Sequence, residues 1–257
     1  MLSLNGSVSQ SGKKLPPETL VYLPMDSNTN NVINNASFST WMQDAGINSY
    51  LTDGKFNNGL RIYSSDWAAW IWWVMPLPKV FNPSKTPNWT MQWWGSVYVP
   101  PVNFPARTYA SCEVSFCLVE KQIDNSYLFN SSLIAMGAGN SISYGNDGPS
   151  VGNSYSRISS GMADYYTEFY RNDSAFNNIS FFRVVKNSTD IRFYRDGALL
   201  YARSLSSYAN ENKDYQYVGI QAYSYSYNNG QVQMLIDDVL FVPKALDGTE
   251  VPTSPYL

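Results

Sequence analysis

The chain of 257 residues contains no histidine, and only two of its residues are cysteine. The absence of histidine excludes Ser-His and Cys-His nucleophile systems and removes the commonest ligand of transition metals. Any catalysis would therefore depend on carboxylates, tyrosine, lysine or arginine. Two cysteines without histidine are also too few for a structural zinc site.

The cysteines Cys112 and Cys117 lie in one stretch, SCEVSFCLVE. If this stretch is a single strand, their odd spacing directs the two side chains to opposite faces, too far apart for a disulfide. We predict free, mostly buried thiols, and the cysteines give no sign of an oxidising compartment.

Charge and long hydrophobic runs are also scarce. Charged residues make up 14% of the chain and the net charge is −3, so there is no basic surplus to bind a nucleic-acid backbone. The apolar window WAAWIWWVMPLPKVF is broken by Pro76 and Pro78 and is too short to cross a bilayer as a helix. The polar start, MLSLNGSVSQSGKKLPPE, lacks the apolar region of a secretory signal. We expect neither a nucleic-acid partner nor a membrane span.

Strand and turn signals are abundant. Asp196-Gly197 separates IRFYR from ALLYA, and Asn229-Gly230 separates two further apolar segments, which is typical of tight hairpins. Such segments recur at hairpin spacing, and no stretch has a convincing helical period. The sequence predicts an all-β fold, a sandwich or a barrel. We expect one domain over 18–251, an N-terminal arm over 1–17 and a C-terminal tail over 252–257.

The order of several segments resembles a known family. The segments are LVYLPMDSNTNNVIN, DGKFNNGLRIY, NWTMQWWGSVYVP, ISFFRVVKNSTDIRFYRDGALLYAR and VGIQAYSYSYNNGQVQMLIDDVLFVPKALDGTEV. Together they resemble a concanavalin A-like, laminin-G-type jelly-roll domain over residues 18–251. The resemblance implies two antiparallel sheets packed as a β-sandwich. It leaves the function open, because the fold carries lectins, adhesion modules, glycanases and capsid-associated proteins.

The glycan-cleaving relatives of this fold carry a Glu-x-Asp-x-x-Glu strand. Retaining hydrolysis needs two carboxyl groups about 5–5.5 Å apart, which alternate residues of one strand can supply. Here Glu113 is followed two places later by Ser115, and the adjacent Asp237 and Asp238 would face opposite ways in a regular strand. We therefore predict no catalytic residues. A hydrolase with a rearranged acid pair stays the alternative.

Two aromatic groups are candidates for ligand binding. Tyr223, Tyr225 and Tyr227 alternate with small residues, so a strand presents all three on one face. A tyrosine ring can stack on the C–H face of a sugar while its hydroxyl makes a hydrogen bond. The alternative is that this face packs in the core.

The second group is a tryptophan cluster at Trp67, Trp70, Trp72 and Trp73. Because Trp72 and Trp73 are adjacent, a strand directs them to opposite faces, and at least one should reach a surface or an interface. We select Trp70 and Trp72 as ligand-binding candidates. The alternative is a role in the core and a capping loop.

Calcium is the one cofactor that the resemblance implies, since relatives of the fold often hold it at the rim. Asp26 and Asn28 alternate in DSNTNN, and Asp237 and Asp238 would approach them if the first and last strands are neighbours. Calcium requires six to eight oxygen ligands. The alternative is that these side chains cap turns.

Taken together, these features favour a non-catalytic module that acts by surface contact. The resemblance and the missing signal peptide suggest a bacteriophage virion accessory, namely a capsid decoration, head-fibre or tail-fibre protein. We expect it to assemble in the host cytoplasm as a homo-oligomer and to be exposed on the particle. Its expected partners are host-surface glycans or neighbouring virion subunits. The alternatives are a purely structural subunit and a secreted or surface carbohydrate-binding adhesin.

Overall fold

The computed structural model describes residues 13–43, 46–64, 68–98, 109–121, 127–128, 135–145, 148–159, 167–171, 178–204, 212–226 and 232–256. In these residues the chain forms two antiparallel sheets of eight strands each, which enclose a common core. The predicted two-sheet antiparallel β-sandwich is confirmed.

The first sheet contains the first and the last strand of the chain and most of the strands in its C-terminal third. Its order is β14 (Ala198–Ser204), β13 (Asp190–Arg195), β12 (Ser180–Lys186), β6 (Trp89–Tyr98), β16 (Val232–Val242), β4 (Asn58–Ser64) and β3 (Ile47–Asp53), with β1 (Val21–Leu23) paired to β16. The first and last strands are therefore neighbours.

The second sheet contains the described members of both predicted aromatic groups. Its order is β11 (Thr167–Arg171), β10 (Gly148–Ser159), β9 (Ala135–Gly145), β7 (Tyr109–Lys121), β15 (Tyr215–Ser226), β5 (Ala68–Phe81) and β2 (Ser39–Gln43), with β8 (Tyr127–Leu128) paired to β7. Both cysteines lie in β7, so the stretch that contains them is one strand.

The turn at Asp196-Gly197 joins β13 to β14 as predicted. Both residues have positive φ angles, 49° for Asp196 and 78° for Gly197, which is the geometry of a two-residue hairpin turn. The second predicted turn, Asn229-Gly230, lies outside the described residues.

The core lies between the sheets and is built by alternation along each strand. On β5 the residues Ile71, Trp73 and Met75 face it, whereas Trp72 and Val74 form a separate cluster on the other face. On β6, Trp93 stacks on Phe182 with 4.6 Å between ring centroids. The prediction that Trp72 and Trp73 point to opposite faces is confirmed.

The two ends of the chain cover much of the outer face of the first sheet. We call residues 244–256 the C-terminal strap. Arg183 on β12, 1% exposed, donates to the backbone carbonyls of Asp247 and Glu250. Its Nε and Nη2 both donate to Oε1 of Gln92, at 2.9 and 2.6 Å. The strap is thus fixed by a buried guanidinium.

Residues near the N-terminus contact the C-terminal strap. The Tyr22 hydroxyl donates to the carbonyl of Tyr256 at 3.1 Å and accepts the Tyr256 N–H at 3.0 Å. Lys13 forms an isolated bridge with Tyr256, and Leu15 packs on the cluster that includes both tyrosines. Residues of the predicted arm and tail therefore meet on the sandwich, while residues 1–12 and 257 lie outside the described part. The described residues include no helix of sufficient length and hydrophobicity to cross a membrane.

Candidate functional site

The face of the second sheet that lies opposite the core contains most of the predicted ligand-binding positions. On β15, Ile220 and Ala222 are fully buried in the core. Alternation therefore assigns positions 221, 223 and 225 to the opposite face. We call this the aromatic face; it runs along β5, β15 and β7.

Strand pairing brings the tyrosine and tryptophan groups into register. Tyr223 on β15 is paired with Trp70 on β5, and Gln221 is paired with Trp72. Directly paired residues in an antiparallel ladder have Cβ atoms about 4.5–5.5 Å apart. Two groups that are remote in sequence therefore lie on adjacent strands of one sheet.

The other neighbour of β15 adds polar residue types to the same rows. Tyr223 is paired with Glu113 on β7, and Gln221 is paired with Ser115. The row through position 221 thus combines an indole, an amide and a hydroxyl residue. The row through position 223 combines an indole, a phenol and a carboxylate residue.

Trp72 and Tyr217 border an apolar cluster on this face. Both side chains are partly exposed and pack against Val74 and Val119, which are 2% and 0% exposed. The two aromatic side chains therefore pack on a buried apolar base formed by the two valines. The sequence analysis did not select Tyr217, although this residue continues the alternation by which Tyr223 was selected.

Of the remaining candidates, Tyr225 is paired with Ala68 on β5 and with Ser111 on β7. The structure describes the backbone positions of Tyr223, Tyr225 and Trp70. Tyr227 and Trp67 lie outside the described residues.

The acidic candidates lie elsewhere, at an irregularity of β16. This strand pairs with β4 through Ile236 and with β1 from Val239 onwards, and its register to β6 shifts between Asp237 and Leu240. Asp238 has a positive φ of 52°. Two residues, rather than one, separate the core side chains of Ile236 and Val239. The regular alternation expected for Asp237 and Asp238 is therefore replaced by a β-bulge.

Asp237 fixes the turn between β3 and β4. Its carboxylate, in a residue that is 2% exposed, accepts the backbone N–H of Lys55 at 2.6 Å. A Cβ atom on Gly54 would lie 2.5 Å from this oxygen, so glycine permits the close approach. Burial raises the pKa of Asp237 to about 6, and its hydrogen bonds from backbone N–H groups oppose the shift.

Asp238 is 1% exposed, and neither oxygen of its carboxyl group has a hydrogen-bond partner by distance and angle. The Tyr22 hydroxyl lies close to it but donates its proton to Tyr256. Burial raises the pKa of Asp238 to about 7; the Tyr22 hydroxyl opposes the shift, and the negative charges of Asp237 and Asp26 add to it.

The residues fit calcium only in part. Asp238 offers two unpartnered oxygens, and Asp26 is near enough to affect the pKa values of both β16 carboxyls. However, Oδ2 of Asp237 and Oδ1 of Asn28 already accept backbone N–H groups. Within the described ranges, no group of three or more acidic or thiol side chains is arranged to hold a metal ion. The calcium site stays a prediction.

The same geometry bears on catalysis. Asp237 and Asp238 have the raised pKa values that general acids often have. Both are at least 98% buried, beneath the turn at 54–57 and beside Tyr22, so they cannot reach a substrate. They serve the fold of β16.

The sequence matches no protein-family model and no curated protein. Solved structures do match. Botulinum neurotoxin type C, which depends upon interaction with two ganglioside molecules to enter cells, is 13% identical with a TM-score of 0.54 over 90% of this chain and 49% of that chain. The binding domain of botulinum neurotoxin DC, in complex with SialylT, gives the same values. This chain thus spans about half the length of the neurotoxin chains.

A second kind of structure matches over its full length. The carbohydrate recognition domain of Emp47p is 15% identical, with a TM-score of 0.51, and the match covers 91% of this chain and 98% of that one. At such identities the similarity shows the fold alone. The chain has a lectin-like jelly-roll β-sandwich fold.

Proposed function

We propose that this protein is a non-catalytic glycan-binding module and that its aromatic face holds the sugar. The observation that carries the proposal is the register of the second sheet, which pairs Tyr223 with Trp70 and Gln221 with Trp72. One surface thus collects aromatic residues from two separate segments. Trp72 and Tyr217 on the same surface are partly exposed.

The chemistry of these residue types suits a sugar. A pyranose has flat patches of C–H groups that stack on aromatic rings, and hydroxyl groups that need hydrogen-bond partners. Tyrosine supplies both, and the paired glutamine and serine supply amide and hydroxyl groups in the row beside it. Rigid rings lose little entropy when a ligand binds.

The structural neighbours support this assignment by analogy. One matched structure is the carbohydrate recognition domain of Emp47p, and another is the binding domain of botulinum neurotoxin DC in complex with SialylT. Their ligands are properties of those proteins. For this chain they support the choice of a glycan over other small ligands.

A glycan array tests the proposal. The purified protein should retain one or more glycans, and joint substitution of Tyr223, Tyr225 and Tyr227 by alanine should abolish the retention. Leu199→Ala, at a residue that is 53% exposed on β14 of the other sheet, is the matched control. Unchanged retention by the triple variant, with a native melting temperature, would remove this face from the account.

The rival function is hydrolysis of a glycan on the same fold. Incubation of the protein with β-glucans should release no reducing ends. Their release, together with its loss on substitution of an acidic residue, would replace the binding module by an enzyme.

The narrower assignment to a bacteriophage particle rests on the sequence resemblance. In that proposal the protein is a homo-oligomeric decoration or fibre subunit that contacts host-surface glycans or neighbouring subunits. Mass spectrometry of purified particles would find it in stoichiometric amounts. Analytical ultracentrifugation of the free chain tests the homo-oligomer.

A further inference from the structure

The edge of the first sheet at β3 carries a second group of polar and aromatic residues. There β3, β4 and β16 lie side by side, and Tyr50 on β3 is 48% exposed. Tyr50 is paired with Arg61 on β4, and Arg61 is paired with Leu235 on β16. Directly beside this row, Tyr63 is paired with Asn48 and Gln233.

These positions share one face because the core takes the alternate residues. Leu60 and Ile62 of β4 and Ile236 of β16 are buried between the sheets. Arg61, Tyr63 and Gln233 therefore face outward, and each is only partly buried. We call Tyr50, Arg61, Tyr63 and Gln233 the arginine patch.

Arg61 has a neutral hydrogen-bond partner. Its Nη1 donates to the neutral amide oxygen of Gln233, and its Nε is buried with no hydrogen-bond partner. Within the described part of the chain, Arg61 forms no ion pair. A guanidinium of this kind can form strong charge-assisted bonds with a carboxylate that arrives from outside.

Two tyrosines are neighbours of Arg61 in the sheet. Tyr50 and Tyr63 meet edge to face, with ring centroids 6.1 Å apart and an interplanar angle of 70°. Tyr50 neighbours Arg61 across the strands, and Tyr63 follows it two residues later on β4. Leu235, 3% exposed, lies on the other side of Arg61. The strand register thus places Arg61 beside two residues that each carry an aromatic ring and a hydroxyl group.

We propose that the arginine patch binds a carboxylate-bearing sugar residue, an acidic monosaccharide unit of a larger glycan. The guanidinium of Arg61 pairs with the sugar carboxylate, and the tyrosine rings contact the C–H groups of the ring. A single cation beside two tyrosines does not fit a nucleic-acid backbone, which needs a row of positive charges. The site lies on the other sheet from the aromatic face and is independent of it.

NMR titration of the full chain tests the site, with 3′-sialyllactose and methyl glucuronide as acidic probes. Lactose and methyl glucoside are the neutral counterparts. We expect at least one acidic probe to shift the amides of β3 and β4, and its neutral counterpart to leave them unchanged. Arg61→Gln should weaken the binding of that probe about tenfold or more, since a charge-assisted pair is lost. Acidic and neutral probes with equal effects would overturn the proposal.

Tyr50→Ala provides a second variant that keeps the fold, because this side chain is half exposed. Tyr50→Ala should weaken the binding of the acidic probe several-fold, whereas Leu199→Ala should leave this binding unchanged. If Arg61→Gln fails to fold, the Tyr50→Ala variant is sufficient as a test. Unchanged binding of the acidic probe by this variant overturns the proposal. The triple tyrosine variant of the aromatic face should still bind the acidic probe, so failure at either site is distinguishable from failure at the other.

Discussion

Among the residues described, Asp238 has a carboxyl group that is 1% exposed and has no hydrogen-bond partner by distance and angle. Its pKa is about 7 in the fold, against an ordinary value of 3.8. Between these two values the folded state binds a proton that the unfolded chain has released. Stability from this group is therefore complete below pH ~4 and is lost as the pH rises towards 7.

We predict that Asp238→Asn removes part of the pH dependence of unfolding. In urea titrations with a chelator present, the variant should be more stable than the wild type at pH 8, by up to about 4 kcal/mol, and nearly equal to it at pH 4. Asp53→Asn, at the exposed last residue of β3, is the control. An identical pH profile for wild type and Asp238→Asn would contradict the assignment of a buried, neutral carboxyl group.

Calcium at the same residue is tested separately. If the carboxylate of Asp238 coordinates calcium, added calcium should raise the melting temperature of chelator-treated protein, and Asp238→Asn should abolish this rise. An unchanged melting temperature at millimolar calcium would contradict the predicted site at Asp26, Asn28, Asp237 and Asp238.

The turn between β3 and β4 depends on glycine at one position. A Cβ atom on Gly54 would lie 2.5 Å from Oδ2 of Asp237 and 2.7 Å from the carbonyl carbon of Asn58. We predict that Gly54→Ala destabilises the protein by about 2 kcal/mol in chemical denaturation, because backbone must move. Asn57→Ala, at the exposed tip of the same turn, should change stability by under about 0.5 kcal/mol. Equal effects of the two substitutions would contradict the contact with Asp237.

The C-terminal strap depends on one buried side chain. Arg183→Met leaves the carbonyl groups of Asp247 and Glu250 without their donor and should cost about 3 kcal/mol. Limited proteolysis with trypsin should then cut after Lys244, which lies exposed where the strap begins. Arg192→Met, at a side chain that is 44% exposed, is the control and should leave the strap protected. Equal protection in both variants would show that other contacts hold the strap.

The strands themselves were partly predictable. The Asp196-Gly197 hairpin followed from local turn chemistry, and the opposite orientation of Trp72 and Trp73 followed from alternation. The bulge at Asp237 and Asp238 did not. It arises because β16 changes partner from β4 to β1, and this partner change is a long-range property that the local pattern does not contain.

At the scale of the molecule, motif order was enough to predict the sandwich, because alternating strands and turns leave few other architectures. The registers were not predictable, and they create both candidate sites. Tyr223 and Trp70 become neighbours only when β15 pairs with β5, and Tyr50 and Arg61 only when β3 pairs with β4. The arginine patch was missed because each of its residues is unremarkable in its own strand.

The two outer faces of the sandwich also differ. In the described residues, the C-terminal strap packs on the first sheet through contacts with Arg183 and Tyr22, and the arginine patch lies at the β3 edge of that sheet. The second sheet presents the aromatic face, with Trp72 and Tyr217 partly exposed over buried valines.

An NMR titration with the glycan best retained on the array locates the binding face. We predict that the Trp72 indole and the amides of β5 and β15 shift as the glycan is added. The indole of Trp93, stacked on Phe182 in the core, should not move. Saturable shifts confined to other parts of the chain, or no retained glycan at all, would contradict a glycan-binding aromatic face.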